Sequence, residues 1–321
     1  MDNKIQALLI DSHGNHKELQ FNSQNKIKPS ENLLWIDLEY NYELNHKWLQ
    51  QQSNVDPLVI EALLAEDTRP RYFTHNDGLL LILRAVNLNV GAAPDDMVSL
   101  RIWIEEKRII TIWRRKVKAI SDLKNDIMND NGPKTEGEFL AQLTKYISIR
   151  MDESINSILN QVEELEDKVF DNRDKPLRTV ISELRRQIIK LRRYLSPQLN
   201  VISKLQTEGM HFLKKDEIAI LRETLDILTR YVEDLDAAKE RIAVTQDELD
   251  SQISSKMNKT MYLLSIVTVI FLPLSLITGL LGINVDGIPK AHHPLAFLFV
   301  CIFLILIAII EIIFFKKKKW M

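Results

Sequence analysis

Asn258, Met261, Ser265, Thr268, Leu272 and Ser275 follow one another at alternating steps of three and four residues. That spacing lines them up on one face of a helix. A row of hydroxyl and amide oxygens can replace the water around a passing cation. The same face runs back through Ser254, Ser251, Asp247, Val244 and Glu240, and forward to Gly279 and Gly282. A helical seam in water should be apolar, and this one is polar or small. Two chemistries fit it. Small residues let membrane helices pack closely. Alternatively, the face lines a watery path, with Asp247 concentrating cations at its mouth and Met261 and Leu272 forming apolar constrictions that close by dewetting. Asp247, Ser251, Ser254 and Asn258 would make a poor packing seam in water, which favours the path. Just beyond it come Gly282, Ile283 and Asn284, then Asp286, His292 and His293. Imidazole and carboxylate suit zinc and could gather an ion or carry protons; ordinary exposed loop histidines are the competing reading.

The elements that must hold these residues can be read from charge. Residues 261–283 contain no charged side chain, and 294–315 contain only Glu311. A bilayer core needs about 20 helical residues, so both runs are long enough to span. The ten residues 284–293 between them force an antiparallel hairpin. Lys256 and Lys259 precede the first span and Lys316–Lys319 follow the second, whereas the connection holds only Lys290. The positive-inside rule therefore puts both termini in the cytoplasm and the loop outside. Glu311 is expected to snorkel towards the lysines, and Trp320 to anchor at the interface. Two spans cannot enclose a path alone, so a pore requires a symmetric ring of copies.

The 321 residues divide by texture into an α/β domain (1–133), a helical stalk region (134–260) and the membrane hairpin (261–321). Strands are expected at 33–38, 78–89, 98–105 and 108–113, with a hairpin at Glu106-Lys107. Helices are expected at 41–52, 56–66, 138–172 and 175–205. Pro176 should start the last of these, and Pro197 should kink or end it. From Lys214 to Leu272 there is neither Gly nor Pro over 59 residues, about 90 Å of helix, so the stalk and the first span are expected to be one helix.

Other features exclude functions. The N-terminus, MDNKIQALLIDSHGNH, lacks the form of a signal peptide. A net charge of −2 gives no pull towards nucleic acid. The basic run Arg185, Arg186, Lys190, Arg192, Arg193 is read as a salt-bridged face beside Glu163, Glu164, Glu166 and Asp167. Cys301 is the one cysteine, so there is no disulfide and no multi-cysteine zinc site. Asp11, His13 and His16 are read as a turn around Gly14 in preference to a metal site. No P-loop, nucleophile elbow, H-E-x-x-H or Rossmann glycine pattern occurs, so no catalytic residue and no catalytic cofactor is assigned.

The Gly282-Ile283-Asn284 tripeptide, placed between two C-terminal spans, resembles the GxN signature of the CorA superfamily. TMYLLSIVTVIFLPLSLITGLLGIN resembles that family's pore helix, and LLAEDTRPRYFTHNDGLLLILRAVNLN (63–89) its cytoplasmic segment. Ile283 and Leu281 stand where magnesium-transporting members have methionine and an aromatic. The N-x-x-G-I-P continuation and TRPR look more like the ZntB branch. The resemblance implies an α+β membrane protein: a homopentamer with an α/β/α cytoplasmic funnel, pore helices inside and second spans outside. It implies transport of Zn2+, with Cd2+, Ni2+ and Co2+ as surrogates, inward and assisted by the proton gradient. It makes Asn284 and Gly282 the outer ring, meeting a hydrated ion, and puts Ser275, Thr268, Met261 and Asp247 on the pore line. The expected partners are further copies of the chain, membrane lipid, divalent ions and protons. The alternatives are a CorA-like magnesium or cobalt channel and a membrane-anchored coiled-coil scaffold without transport.

Overall fold

The computed structural model describes residues 5–21, 31–66, 68–171, 177–208, 210–283 and 293–318. The chain forms two compact units, Met1–Gln246 and Asp247–Met321.

The first unit is built on a seven-stranded sheet. Its strands are β1 (Ile5–Ile10), β2 (His16–Phe21), β3 (Leu33–Glu39), β4 (Arg71–His75), β5 (Gly78–Val86), β6 (Met97–Glu105) and β7 (Arg108–Trp113), in spatial order β2-β1-β3-β7-β6-β5-β4. Among the described strands only β3 and β7 pair in parallel. The central strands β3, β5, β6 and β7 are buried almost throughout, which is why they read as near-continuous apolar runs. The turn expected at Glu106-Lys107 joins β6 to β7 with Glu105 opposite Arg108. Lys107 takes a left-handed φ of 57° there, and Glu136 holds its N–H at 2.6 Å. Gly78, which opens β5, lies so close to the Trp103 ring that an added Cβ would stand 2.3 Å from it.

Helices α1 (Glu43–Gln51) and α2 (Pro57–Leu64) pack Trp48, Leu49, Val59, Ile60 and Leu63 against one face of this sheet. Asp56 caps α2 through the Leu58 N–H at 2.9 Å. Helices α3 (Lys118–Met128) and α4 (Glu136–Ile149) follow; Phe139 of α4 meets Trp35 of β3 edge-on at 5.1 Å. Beneath that contact Asp37 is nearly inaccessible and accepts from Thr111, Trp113 and Lys124 at 2.5, 2.9 and 2.7 Å.

Three long helices follow: α5 (Asp152–Phe170), α6 (Leu177–Glu208) and α7 (Lys215–Leu281). The helix expected over 138–172 is thus two, α4 and α5, broken at Arg150-Met151 without Gly or Pro. Met151 is buried there and Arg150 is turned to Asp122 at 2.7 Å. Pro197 does not end α6, which continues to Glu208; the next residue, Gln198, is buried and accepts the Arg84 N–H of β5 at 2.7 Å, so packing outweighs the lost helical hydrogen bond. Pro176 lies outside the described residues. α7 starts one residue after the expected Lys214, whose N–H bonds Glu217 at 2.9 Å, a capping arrangement. It then buries Leu221, Thr224, Leu228, Tyr231, Leu235, Ala238, Ile242 and Thr245, a heptad face.

In the second unit α7 continues through Pro273 to Leu281, and α8 runs Ala296–Lys317. Both are long and apolar enough to cross a membrane. The described helices stop two residues short of 283, at Gly282, and start two residues after Pro294, in keeping with glycine just past helix ends and proline near helix starts.

Candidate ion pathway

Beyond Thr245 no position of α7 is buried by its own chain. Asp247, Ser251, Ser254, Asn258, Met261, Ser265, Thr268, Leu272, Ser275, Gly279 and Gly282 are all exposed. Between Met261 and Leu281 the half-shielded positions are Ile266, Ile270, Pro273, Leu274 and Ile277. On α8 they are Ala296, Val300, Cys301, Leu304, Ile307, Ala308, Glu311 and Phe315, again one stripe at three- and four-residue steps. An isolated helix would shield no one face, so these two stripes mark where the helices of this unit turn to each other. At 100° per residue, the shielded stripe of α7 is centred about 180° from its polar stripe. The helix therefore covers its apolar back with α8 and leaves the polar face open.

The hydroxyls on the open face are oriented by the helix. Ser265 donates to the Met261 carbonyl and Thr268 to the Leu264 carbonyl, each at 2.9 Å. Their protons are used within the backbone, and their lone pairs remain to accept from the water around a cation. Thr278, off this face, donates to Leu274 at 3.0 Å. Gly279 has open space around its missing side chain. Pro273 supplies no N–H to the Val269 carbonyl and sits on the shielded side, so the helix is weakest on the face turned to α8.

At the far end, Gly282 closes the last turn through its N–H to Thr278 at 2.9 Å, and Ile283 follows exposed. Asn284, Asp286 and His292 lie outside the described residues. His293 accepts the Leu295 N–H on Nδ1 at 3.2 Å, and its carbonyl accepts from Ala296 at 2.9 Å. Its ring thus serves the start of α8 through one nitrogen, and the residue is exposed. Among the described residues no three His, Cys, Asp or Glu side chains gather in a metal-binding group, so Asp247 and His293 stand apart from any such cluster within one chain.

The remaining sequence candidates resolve as follows. Asp11 accepts the N–H groups of His13 and Asn15 at 2.8 and 3.0 Å, and Gly14 has a φ of 92°: the D-x-H-x-x-H stretch is the turn between β1 and β2. These hydrogen bonds, led by that from the Asn15 side chain, hold the Asp11 carboxyl below its ordinary value. The basic face on α6 is salt-bridged, but to partners other than those expected. Arg186 meets Glu183 at 2.6 Å, Lys190 meets buried Asp95 at 2.9 Å and Arg192 meets Asp236; Glu166 pairs with Arg241 of α7. Glu311 was assigned by sequence only to the lysine tail, and the structure sets it on the stripe of α8 that turns to α7. The 296–300–304–307–311–315 spacing carries that signal, masked by the uniform hydropathy of the span.

Comparison with known proteins agrees with this architecture. Residues 30–317 match the family described as CorA-like Mg2+ transporter protein. The divalent cation transporter CmaX of Pseudomonas aeruginosa is 38% identical over 293 residues, covering 91% of this chain and 88% of the relative. The zinc transport protein ZntB of Pectobacterium carotovorum subsp. carotovorum is 34% identical over 292 residues, covering 91% and 89%. The structure of full-length CmaX superposes with a TM-score of 0.84 at 33% identity, over 100% of this chain and 99% of that one. With an α/β sheet domain, one long helix that is also the first of two membrane-competent helices, and a match running through residues 30–317, the chain belongs to the CorA-like Mg2+ transporter family.

Proposed function

We propose that this protein carries zinc across the inner membrane as a homopentamer, with α7 lining the path, α8 outside it and both termini in the cytoplasm. The observation that carries the reading is the polar stripe of α7, left open on the side opposite α8. Identical helices arranged around an axis would bring Asn258, Ser265, Thr268 and Ser275 of each copy to one lumen. Zinc is favoured by Ile283 in the tripeptide and by a relative named as a zinc transport protein. Cadmium, nickel and cobalt are the expected surrogates.

Hydrated zinc collects at the outer mouth, where His292, His293 and Asp286 of several copies would crowd together. It passes the ring of Asn284 amides, whose oxygens hold the ion's water without stripping it. It then follows the hydroxyls of Ser275, Thr268 and Ser265 past Leu272 and Met261, and leaves by Asn258 and Asp247. Weak, repeated contacts suit conduction; a closed set of imidazole or thiolate ligands would retain the ion. The inward direction and assistance by the proton gradient belong to the same proposal.

The family description favours a second reading, a magnesium or cobalt channel. Zinc uptake into proteoliposomes, with and without a pH gradient and with magnesium as competitor, separates the two. Zinc flux that rises with an inward proton gradient and ignores millimolar magnesium supports the first. Magnesium flux indifferent to pH supports the second. No flux of any divalent ion would leave a membrane-anchored scaffold.

A further inference from the structure

We propose that Glu311 is a proton-binding site within the membrane, set on the back of the pore helix, so that proton and cation use opposite faces of α7. This rests on the reading above that transport is proton-assisted.

Glu311 is the only charged side chain between Pro294 and Phe315. An acidic residue near the end of a span ordinarily turns its carboxylate out to the interface. Here the residue lies on the α8 stripe that faces α7, next to Ile307, Ala308 and Phe315. Its Oε2 atom is shut off from solvent and has no hydrogen-bond partner. Among the described residues it forms no ion pair with Lys316 or Lys317, although both stand within two turns.

The facing stripe of α7 is Ile266, Ile270, Pro273, Leu274 and Ile277, without a titratable group. Counted along their helices, Glu311 and Ile266 stand at the same remove from the helix ends that face the connection, Ala296 and Leu281. Towards the basic end the next titratable groups are Tyr262 and Lys259 on α7 and the three lysines on α8. Cys301 shares the α8 stripe further out. The polar stripe has no titratable side chain between Asp247 and Gly282, which leaves Glu311 as the acid placed inside the span.

A protonated carboxyl is tolerated against isoleucine; an ionised one without a partner is not. Loss of the proton would therefore force α7 and α8 to repack. Pro273 lies on the same side and removes one helical hydrogen bond, so α7 can yield there. A bend at Pro273 moves Leu272 and Ser275, its neighbours on the opposite face, and so changes the width of the path. The only bond made and broken is the carboxyl O–H, its proton taken from water on one side and returned to water on the other.

The test uses the full chain in proteoliposomes containing a trapped zinc-sensitive dye, with and without an inward pH gradient. Wild-type flux should rise with the gradient, Glu311→Gln flux should not, and Glu311→Asp should recover part of the response. A wild-type response that survives intact in Glu311→Gln overturns the inference alone. A wild-type flux indifferent to the gradient overturns proton assistance, and this inference with it. If Glu311→Gln does not assemble, labelling of the wild-type protein with dicyclohexylcarbodiimide decides the matter by mass spectrometry. Labelling of Glu311 is expected, and absence of label overturns the proposal.

Discussion

Thr268 and Ile270 stand on opposite sides of α7. Thr268 is exposed with its hydroxyl bonded to the Leu264 carbonyl at 2.9 Å, while Ile270 is half-buried on the side of α8. Two residues of helix turn the side chain through about 200°, and that single offset sets the hydroxyl and the isoleucine on opposite faces.

The two positions should respond differently to substitution. Thr268→Val keeps the shape and removes the oxygen. It should lower zinc flux about tenfold, equivalent to about 1.4 kcal/mol of barrier, with assembly unchanged. Ile270→Val should leave flux within about twofold, because the path does not meet it and one lost methyl group costs only about 1 kcal/mol of packing. Proteoliposome flux normalised to assembled protein measures both, and equal losses would remove the polar stripe from the path.

Asn284→Ala should abolish uptake, and Asn284→Gln should restore a fraction, since the longer amide keeps the oxygen but displaces it. Transport assayed in cells lacking other zinc importers, with membrane abundance checked by immunoblot, gives the answer. Unchanged uptake in Asn284→Ala would favour the scaffold.

The proposed path gives Asp247 an electrostatic role at its cytoplasmic mouth. Asp247→Asn should therefore reduce flux severalfold at low ionic strength and much less near 1 M salt, where the screening length falls to about 3 Å. A defect independent of salt would argue for direct ligation of the ion instead.

Within the first unit, Lys124 stands 2.7 Å from a carboxylate on Asp37 whose side chain is only 3% exposed. Lys124→Ala leaves that charge buried and half-satisfied, and should destabilise the protein by about 3 kcal/mol. The shift in thermal unfolding followed by tryptophan fluorescence tests this, with Trp35 and Trp113 adjacent to the lesion.

Tyr231 of α7 donates to Asp152 at 3.0 Å. Burial first, and then that hydrogen bond, push its hydroxyl from an ordinary value of 10.0 up to about 12. A group raised on folding contributes stability that is complete below its unfolded value and is lost as pH climbs through the folded one. Stability should thus fall between pH 10 and about 12. Tyr231→Phe should flatten that segment of the curve. Urea unfolding at stepped alkaline pH, alongside ultraviolet titration of the phenolate, is the measurement.

The sequence by itself determined the features encoded by neighbouring residues. Strands β3, β5, β6 and β7 are legible because they are buried on both faces and so uniformly apolar. The two spans are legible because hydrocarbon excludes charge over about 20 residues, and the polar stripe because a helix repeats every 3.6. Elements whose character comes from distant partners were not legible. β2 (HKELQF) and β4 (RYFTH) are edge strands with little apolar alternation, held by pairing with β1 and β5. Nothing in β3 or β7 announces that they run parallel to each other across the 68 residues 40–107. α4 and α5 part at Arg150-Met151 because of tertiary contacts, with no helix-breaking residue between them. Above all, the tertiary structure decided which side of α7 meets α8. Every residue of α8 but one is apolar up to Phe315, so hydropathy gives that helix no direction. Only packing against α7 chose the stripe that carries Glu311 and left Ser265, Thr268 and Ser275 uncovered.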